Sequence, residues 1–284
     1  MTKIFIKLRR VVLRFYIYFV KFLLKDFLLK VFLLLSIKKR YKDYVYYNFI
    51  DNNDKIYKLK NSNNKTLFFF SRSLMTEKRY ETFFTKEPDT IEWINNFREN
   101  SIFYDIGANV GIYSIYASSL TRNINVVAFE PSVFNIEILS KNIFINNMHE
   151  NISIFPLALD IKKSQNQFNM SSIEPGGALS GFGTDLDEYN NKRNIEFKYK
   201  TFSMNLDNFI LDYNLNLPNY IKIDVDGLEL NILKGATAIL KNKKLYSILI
   251  ENSNPLSNIS NFLKDNNFIL KSQYKNNQIW EKTN

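Results

Sequence analysis

The sequence predicts an α/β fold with a mostly parallel sheet and helices on both of its faces. From residue 101 onward, short strand-like runs alternate with helical patterns, which is typical of parallel strands joined by crossover helices. Most of these runs are apolar over several consecutive residues, as expected for strands buried on both faces. The strand-like runs are IFYDIG, INVVAFEP, NISIFPLALD, YIKIDVDG and YSILIEN, and the helical patterns between them are GIYSIYASSL, SVFNIEILSKNIFINN and LELNILKGATAILKN.

The net charge of +10 divides the chain into two parts, an extension of residues 1–45 and a domain of residues 46–284. The extension holds 12 basic and 2 acidic residues, whereas the domain holds 26 of each sign. A neutral domain does not indicate nucleic-acid binding. In the extension, most of the early cations fall on one helical stripe beside a wide aromatic and aliphatic arc, which favours a basic amphipathic helix lying on an anionic membrane surface. The alternative is a helix that packs on the domain. The longest run without a charge in the extension, residues 31–37, is too short to span a bilayer.

Residues 46–100 lead into the core of the domain, residues 101–284. KIYKLK and TLFFFS are typical of short strands joined as a hairpin. EPDTIEWINNF predicts a helix that Asp89 or Thr90 caps. Within the core, residues 162–200 interrupt the strand–helix alternation with four of the chain's eight glycines. We interpret this insertion as an active-site flap, because long loops are often functional.

The scarcity of cysteine and histidine excludes several classes of site. The chain has no cysteine, which rules out disulfides and thiolate metal sites. Its one histidine, His149, leaves little room for a Ser-His-Asp triad or a histidine-ligated metal, and it is predicted far from the ligand edge of the sheet.

The corner FYDIGANVGIYS is the most informative stretch of the sequence. Asp105 ends a predicted strand, and Gly107, Asn109 and Gly111 form the turn that follows. The spacing matches neither glycine-rich phosphate loop. Open α/β sheets bind ligands at this edge, and an acid there repels phosphate and attracts a cation. S-adenosylmethionine carries a sulfonium and an amino group and no phosphate, so it suits the corner.

Two further acids follow predicted strands. Glu130 comes 19 residues after Gly111, at the distance typical of a carboxylate that binds ribose hydroxyls. Asp160 ends the third predicted strand, where it is placed to meet an adenine amino group. Carboxylates at the ends of three successive strands favour one shared ligand site over three separate helix caps.

Taken together, the motifs D-I-G-A-N-x-G, F-E-P and I-K-I-D-V-D-G-L-E-L-N-I-L-K-G-A resemble those of the FkbM-type methyltransferases over roughly residues 80–252. The resemblance implies a seven-stranded, Rossmann-like class I methyltransferase fold and an S-adenosylmethionine-dependent O-methyltransferase, many relatives being associated with sugar or polyketide hydroxyls. It implies cofactor contacts at Asp105, Gly107, Asn109, Gly111, Glu130, Pro131 and Asp160.

The fourth predicted strand supplies the candidate catalytic residues, Asp224 and Asp226. Residues two apart on a strand project from one face, so we expect both carboxylates beside the transferable methyl. One carboxylate acts as general base, or the pair, with Glu251, holds Mg²⁺. We expect many relatives to carry glutamate at position 226, where this chain keeps the carboxylate but shortens the side chain.

We therefore expect a cytoplasmic methyltransferase that modifies a sugar, glycan or glycolipid hydroxyl, held on the inner face of the membrane by residues 1–45. A lipid-linked acceptor suits that location. Two other interpretations are weighed against it. A nicotinamide-dependent oxidoreductase shares the glycine corner and the ribose acid, but Asn109 stands where a phosphate loop has glycine, and Asp105 would face a pyrophosphate. A non-catalytic membrane-associated scaffold does not explain the acids at the ligand edge.

Overall fold

The computed structural model describes residues 55–187, 189–254 and 258–283. The predicted amphipathic extension, residues 1–45, lies outside these ranges, as do residues 46–54. Within the described ranges, no helix has both the length and the apolar character needed to cross a bilayer.

The predicted hairpin is confirmed. Strand β1 (Lys55–Lys60) pairs antiparallel with β2 (Thr66–Ser71), in the register Lys60↔Thr66. Asn61 closes the turn, since its side-chain oxygen accepts a hydrogen bond from Lys65 N at 2.9 Å.

Three short helices lead from the hairpin to the core. They are α1 (Leu74–Glu81), α2 (Phe83–Lys86) and α3 (Pro88–Asn95). The prediction that Asp89 or Thr90 caps α3 is wrong, because the helix already begins at Pro88 and Glu87 occupies the cap position without a side-chain cap bond. Proline has the φ angle of a first helical turn and needs no N–H partner there, so it sets the start of the helix.

The core is a seven-stranded sheet of mostly parallel strands, as predicted. One strand, second from an edge of the sheet, is antiparallel to both of its neighbours, and the five strands on one side of it are mutually parallel. In spatial order the strands are β12 (Phe268–Tyr274), β13 (Asn277–Lys282), β11 (Ser247–Glu251), β10 (Tyr220–Ile223), β3 (Ile102–Ile106), β4 (Asn125–Phe129) and β5 (Ile152–Phe155).

Helices bury both faces of this sheet. Phe103 and Tyr104, neighbours on β3, belong to two separate hydrophobic clusters, one on each face. One face packs against α3, α4 (Ile112–Ser118) and α5 (Val133–Ile145), and the other packs against α6 (Leu206–Asp212), α7 (Glu229–Lys234), α8 (Thr237–Lys241) and α9 (Ile259–Asp265). The sequence predicts one helical pattern where α7 and α8 lie. The two helices are separated at Gly235 and Ala236.

The run NISIFPLALD is two strands rather than the single predicted one. Strand β5 ends at Phe155, and β6 (Ala158–Leu159) belongs to a different sheet. Pro156 lies between them and has no N–H to donate to a strand ladder. The prediction that Asp160 ends the third strand of the main sheet is therefore wrong.

The insertion of residues 162–200 forms most of this second sheet. The long strands β7 (Ser164–Met170) and β9 (Phe197–Met204) pair antiparallel, and β8 (Gly181–Phe182) pairs with β7. Strand β6 pairs with β9 on the other side. The insertion is thus a folded four-stranded sheet with a loop between β7 and β8, and that loop reaches the site described below.

Candidate active site

Asp105 lies beneath the corner that follows β3. Its side chain is fully buried, and one carboxylate oxygen accepts a hydrogen bond from Ser114 Oγ at 2.6 Å while the other has no partner among the described residues. Burial raises the pKa of this carboxyl, although the nearby Lys222 ammonium lowers it. The structure therefore places Asp105 as a buried carboxyl group that supports the corner.

The two glycines of the corner serve different contacts. Gly107 has φ +79°, and a Cβ there would collide with the carbonyl oxygen of Asp224. Gly111 also has φ +79°, but its Cβ would collide with the Leu139 side chain. Gly107 thus lets the ends of β3 and β10 approach each other, whereas Gly111 lets α4 pack closely on α5.

Glu130 follows β4 and is held by backbone donors. Its two oxygens accept hydrogen bonds from Asn109 N at 2.7 Å and Ser132 N at 2.8 Å. Burial raises its pKa to about 7, even though both donors favour the charged form. A carboxylate has about four acceptor positions, so Glu130 keeps acceptor capacity for a ligand.

A buried lysine neutralises the carboxylates at the end of β10. The Lys222 side chain is 2% exposed, and its Nζ lies 2.6 Å from the carboxylate of Asp224. Burial alone raises the pKa of Asp224, but the Lys222 charge and a hydrogen bond from Glu251 outweigh it and hold the pKa well below its usual range. Burial and the Asp224 charge raise the pKa of Glu251 to about 9. Asp224 is therefore the ionised member of the pair and Glu251 carries the proton.

The same lysine faces acids from two other elements. Asp105 on β3 is its direct cross-strand neighbour. The Lys222 ammonium lies 4.9 Å from the centre of the Tyr113 ring, and the Tyr113 hydroxyl donates to Glu87 at 2.7 Å. Burial raises the pKa of Glu87, but the charges of Lys222 and Lys86 together lower it by a larger amount, so the pKa falls below its usual value.

Asp226 reaches the site from a turn. The prediction that Asp224 and Asp226 project from one face of a strand is wrong, since β10 ends at Ile223 and Asp226 has φ +58°. Its carboxylate accepts a hydrogen bond from Leu179 N at 2.7 Å, which ties the turn to the insertion. Glu229 closes the same turn.

Glu229 accepts hydrogen bonds from Val225 N at 3.2 Å and from Gly227 N at 3.1 Å. Burial raises its pKa to about 7 despite these donors. Gly227 has φ +108°, a conformation that favours glycine. The hydrogen bonds that Glu229 accepts from Val225 and Gly227 therefore fix the turn that carries Asp226.

These residues surround a cavity of about 190 Å³ at the carboxyl ends of β3, β4, β10 and β11, here called the central cavity. Its wall includes four predicted cofactor residues, Gly107, Asn109, Glu130 and Pro131, together with both predicted catalytic residues. Asp105, Gly111 and Asp160 do not line it. Asp160 lies in the second sheet, where its N–H donates to Met204 O at 3.0 Å.

The loop of the insertion forms part of the wall of the central cavity. Gly177, Ala178 and Ser180 line the cavity. The side chain of Asn109 donates to Gly177 O at 2.7 Å, so the turn after β3 also holds the loop in place. Arg79 lines the cavity and donates to Gly176 O at 2.7 Å.

Sequence reasoning missed Arg79, Lys86, Lys222 and the residues of the loop. Arg79 and Lys86 lie in short helices that carry no motif, and only folding brings them to the sheet edge. Lys222 carried a signal, since a lone lysine inside an otherwise apolar strand needs a buried acid as partner.

A smaller, apolar cavity adjoins the central one. It has a volume of about 40 Å³ and shares Gly107, Pro131, Phe168, Ser180 and Val225 with the central cavity. Its remaining wall is aliphatic and aromatic, formed by Ile106, Phe129, Leu157, Ala158, Leu159, Phe182 and Leu228. The site thus combines the central cavity, which charged residues line, with a smaller apolar cavity.

The described residues give no support to a Mg²⁺ site. They contain no group of three or more His, Asp or Glu side chains arranged to hold a metal ion. Around Asp224 and Glu251 the neighbouring cation is Lys222, which already compensates the carboxylate charge. His149 is exposed and pairs with Glu150 at 3.4 Å, away from the cavities.

Comparison with known proteins agrees with this geometry. The methyltransferase FkbM domain matches residues 105–272, more than half of the chain. The hexuronic acid methyltransferase AglP of Haloferax volcanii is 26% identical over 157 residues, which cover 55% of this chain and 59% of that protein. The methyltransferase sdnD of Sordaria araneosa is 23% identical over 162 residues, covering 50% of this chain and 62% of the relative.

The matched region thus spans less than two thirds of the length of these curated relatives. Among solved structures, the methyltransferase FkbM from Methylobacillus flagellatus KT superposes with a TM-score of 0.47 at 16% identity, covering 66% of this chain and 44% of that one. The resemblance inferred from the sequence motifs is confirmed by the domain match, and the chain belongs to the FkbM methyltransferase family.

Proposed function

We propose that this chain is an S-adenosylmethionine-dependent O-methyltransferase that acts on a hydroxyl of a sugar, glycan or glycolipid. The observation that carries the proposal is the central cavity, which joins the ribose-type acid Glu130 to the carboxylates Asp224, Asp226 and Glu251 at one sheet edge. In open α/β sheets that edge is where ligands bind.

The donor set fits the cofactor. Glu130 is oriented by two backbone N–H groups and keeps acceptor positions for the ribose hydroxyls. The apolar cavity suits the adenine ring. Asp224 would face the sulfonium and amino groups, and Arg79 would face the cofactor's own carboxylate. A cavity lined by both acidic and basic side chains matches a ligand that carries both signs.

Entry of the cofactor requires a shift of the loop between β7 and β8. Small-molecule sites commonly have volumes of about 300–1,000 Å³, whereas the central and apolar cavities measure about 190 and 40 Å³. The loop of residues 176–180 lines the central cavity. It accepts hydrogen bonds from Asn109 and Arg79, and it also bonds Asn135, Ser171 and Asp226. An outward movement of this loop opens the site without disturbing the sheet.

When bound, S-adenosylmethionine supplies an electrophilic methyl group on a sulfur that leaves as a neutral thioether. The protein then has to align the acceptor hydroxyl with that methyl, exclude water, and take up the hydroxyl proton as the new C–O bond forms. The loop of residues 176–180 excludes water. The proton goes to a carboxylate at the cavity wall.

Asp226 is assigned as the base. It lines the central cavity and also the neighbouring cavity that lies on the other side of the turn. Asp224 is bound to the Lys222 ammonium at 2.6 Å, and a carboxylate with so low a pKa is a weak base. Asp224 is assigned to charge complementarity and alignment. Glu251, protonated through its contact with Asp224, would donate a hydrogen bond rather than accept the proton.

The family supports methyl transfer over the nicotinamide alternative. A sugar acceptor is supported by the relative from Haloferax volcanii, whose name describes a hexuronic acid methyltransferase. The basic and apolar composition of residues 1–45 supports an acceptor presented at a membrane surface, such as a lipid-linked glycan.

The proposal is tested by calorimetry with S-adenosylhomocysteine and by turnover of labelled S-adenosylmethionine with fractionated cell glycans and lipids. We expect cofactor binding, and label transfer to a glycan fraction that D226N strongly reduces while its S-adenosylhomocysteine affinity stays close to that of the parent protein. A folded protein that binds no S-adenosylhomocysteine contradicts the proposal. Equal turnover by D226N and the parent removes Asp226 as the base.

A further inference from the structure

A second cavity lies directly behind the turn that carries Asp226. It has a volume of about 350 Å³, within the range of small-molecule sites. It shares Asp226 and Glu251 with the central cavity, so a group bound there meets the carboxylates at which methyl transfer is proposed. We name it the amide-lined cavity, after Asn231, Asn252, Asn254 and Asn276 in its wall.

The polar wall of this cavity offers both donors and acceptors. Each asparagine side chain presents one carbonyl oxygen and an NH₂ group, which matches the mixed donor and acceptor character of a hydroxyl. Asn276 donates to Ser253 Oγ at 3.0 Å, and Asn252 N donates to Asn276 O at 2.8 Å, so this side of the wall is held in place. Asn231 lies in α7 and also lines the cavity.

An aliphatic surface completes the cavity. Leu179, Leu230 and Ile259 line it beside the asparagines. A glycosyl ring has hydroxyls around its rim and C–H groups on its faces, so it needs amides and aliphatic side chains in the same site. The composition of the wall meets that need.

The titratable side chains that line this cavity are all acids, of which Glu251 carries a proton and Glu229 has a pKa raised by burial to about 7. Asp226, Glu229 and Glu251 line the cavity, and no lysine, arginine or histidine does so among the described residues. An acceptor with a carboxylate would approach these acids without a compensating cation, and desolvation of an unpaired charge is costly. The cavity therefore discriminates against anionic sugars.

We propose that the amide-lined cavity is the acceptor subsite and that it takes a neutral glycosyl unit in preference to a uronic acid. This rests on the proposed function, because the subsite is assigned by its contact with the methyl-transfer carboxylates. The acceptor hydroxyl enters from the amide-lined cavity, and the cofactor occupies the central cavity on the other side of Asp226 and Glu251.

The test measures acceptor binding by saturation-transfer NMR on the full chain with S-adenosylhomocysteine present. The probes are methyl glycosides of neutral hexoses, the matching methyl hexuronates and a methyl glycoside of an amino hexose. Two matched variants each replace a helical asparagine with lysine. N231K changes the half-buried Asn231 in the subsite, and N208K changes the exposed Asn208 on α6, away from the subsite.

We expect the neutral glycosides to bind the parent protein roughly tenfold more tightly than the hexuronates, the value of one charge-assisted contact. N231K should narrow or reverse that preference, while N208K should leave it unchanged. Equal binding of hexuronate and neutral glycoside by the parent, weaker binding of the amino hexose than of the neutral glycoside, or an N231K variant that behaves like N208K overturns the subsite assignment.

S-adenosylhomocysteine affinity, measured separately by calorimetry, distinguishes the two proposals. If S-adenosylhomocysteine binds normally but no glycoside binds, the subsite assignment fails and the cofactor assignment stands. If S-adenosylhomocysteine does not bind to the folded protein, the proposed function itself fails.

Discussion

Replacing Lys222 with methionine tests whether one buried cation compensates the acids of the site. The Lys222 side chain is 2% exposed, its Nζ lies 2.6 Å from Asp224, and its cross-strand neighbour Asp105 is fully buried with an unpartnered oxygen. Methionine keeps most of the volume of the side chain and removes only the charge. The variant therefore leaves two carboxylates without their shared counter-charge.

The expected loss is large. Removing one partner of a buried ion pair costs about 3–5 kcal/mol of unfolding free energy, a substantial share of the roughly 5–15 kcal/mol that stabilises a typical domain. The matched control is K271M on β12, since Lys271 is 61% exposed and lies 3.4 Å from Glu281. An exposed pair of this kind contributes about 0–1 kcal/mol.

The loss should also depend on pH. In the parent protein the depressed pKa of Asp224 gives a contribution that is present above the unfolded-state pKa and is lost only in strong acid. Without Lys222, burial raises the pKa values of Asp105 and Asp224. An acid with a raised folded-state pKa stabilises the fold below its unfolded-state pKa and loses that contribution as the pH rises. The deficit of K222M should therefore shrink between pH 8 and pH 5.

Urea denaturation of the parent, K222M and K271M at pH 8 and pH 5 makes the measurement. If K222M does not fold at pH 8, the double variant K222M/D224N should recover part of the stability, because it removes both members of the pair. A K222M deficit no larger than that of K271M at pH 8, or one that does not change with pH, refutes the assignment of Lys222 as the shared counter-charge.

Four further predictions concern the site, the corner glycine and the N-terminal extension. Glu130→Gln should weaken S-adenosylhomocysteine binding roughly tenfold to a hundredfold in calorimetry; unchanged affinity places the ribose elsewhere. Burial raises the pKa values of Glu130 and Glu229 to about 7, so the cofactor-free protein should lose stability as the pH rises from about 4 to 7, and E229Q should flatten that slope in denaturation midpoints. Gly107→Ala should lower thermal stability by about 1–3 kcal/mol, because φ is +79° and the new Cβ meets the Asp224 carbonyl oxygen; an unchanged midpoint contradicts the close approach of β3 and β10. Deleting residues 1–45 should abolish sedimentation with acidic vesicles, and equal sedimentation of the full chain with and without vesicles argues against membrane binding.

The main sheet was predictable because its strands are buried on both faces. Such strands are apolar without interruption, and the helices between them have a different period, so strand and helix are separable in the sequence. The four apolar runs IFYDIG, INVVAFEP, YIKIDVDG and YSILIEN correspond to strands β3, β4, β10 and β11. What the pattern cannot specify is which sheet a short apolar run joins, and NISIFPLALD divides at Pro156 for that reason.

The positions of individual site residues were less predictable than their chemical types. Glu130 lies where its spacing from the glycine corner indicated, because both strands end at the same sheet edge. Asp226 reaches the cavity through a left-handed turn instead of strand alternation. Gly111 looked like part of the ligand turn but serves helix packing against Leu139, since a glycine allows close approach to any neighbour and the sequence does not say which.

The Lys222 cluster gives the central cavity its charge pattern. A buried ion pair is a weak source of stability compared with apolar packing, so its presence in the middle of the sheet calls for another explanation. Lys222 keeps Asp224 ionised, Asp224 in turn keeps the proton on Glu251, and Asp226 is left as the carboxylate that both cavities share. Under the proposed function, three acids of similar chemistry thereby take distinct roles: a fixed negative charge, a hydrogen-bond donor and a base. A cationic cofactor in the central cavity would lower the pKa of each nearby carboxyl, so the Glu251 proton would become more acidic and a stronger hydrogen-bond donor when the cofactor binds.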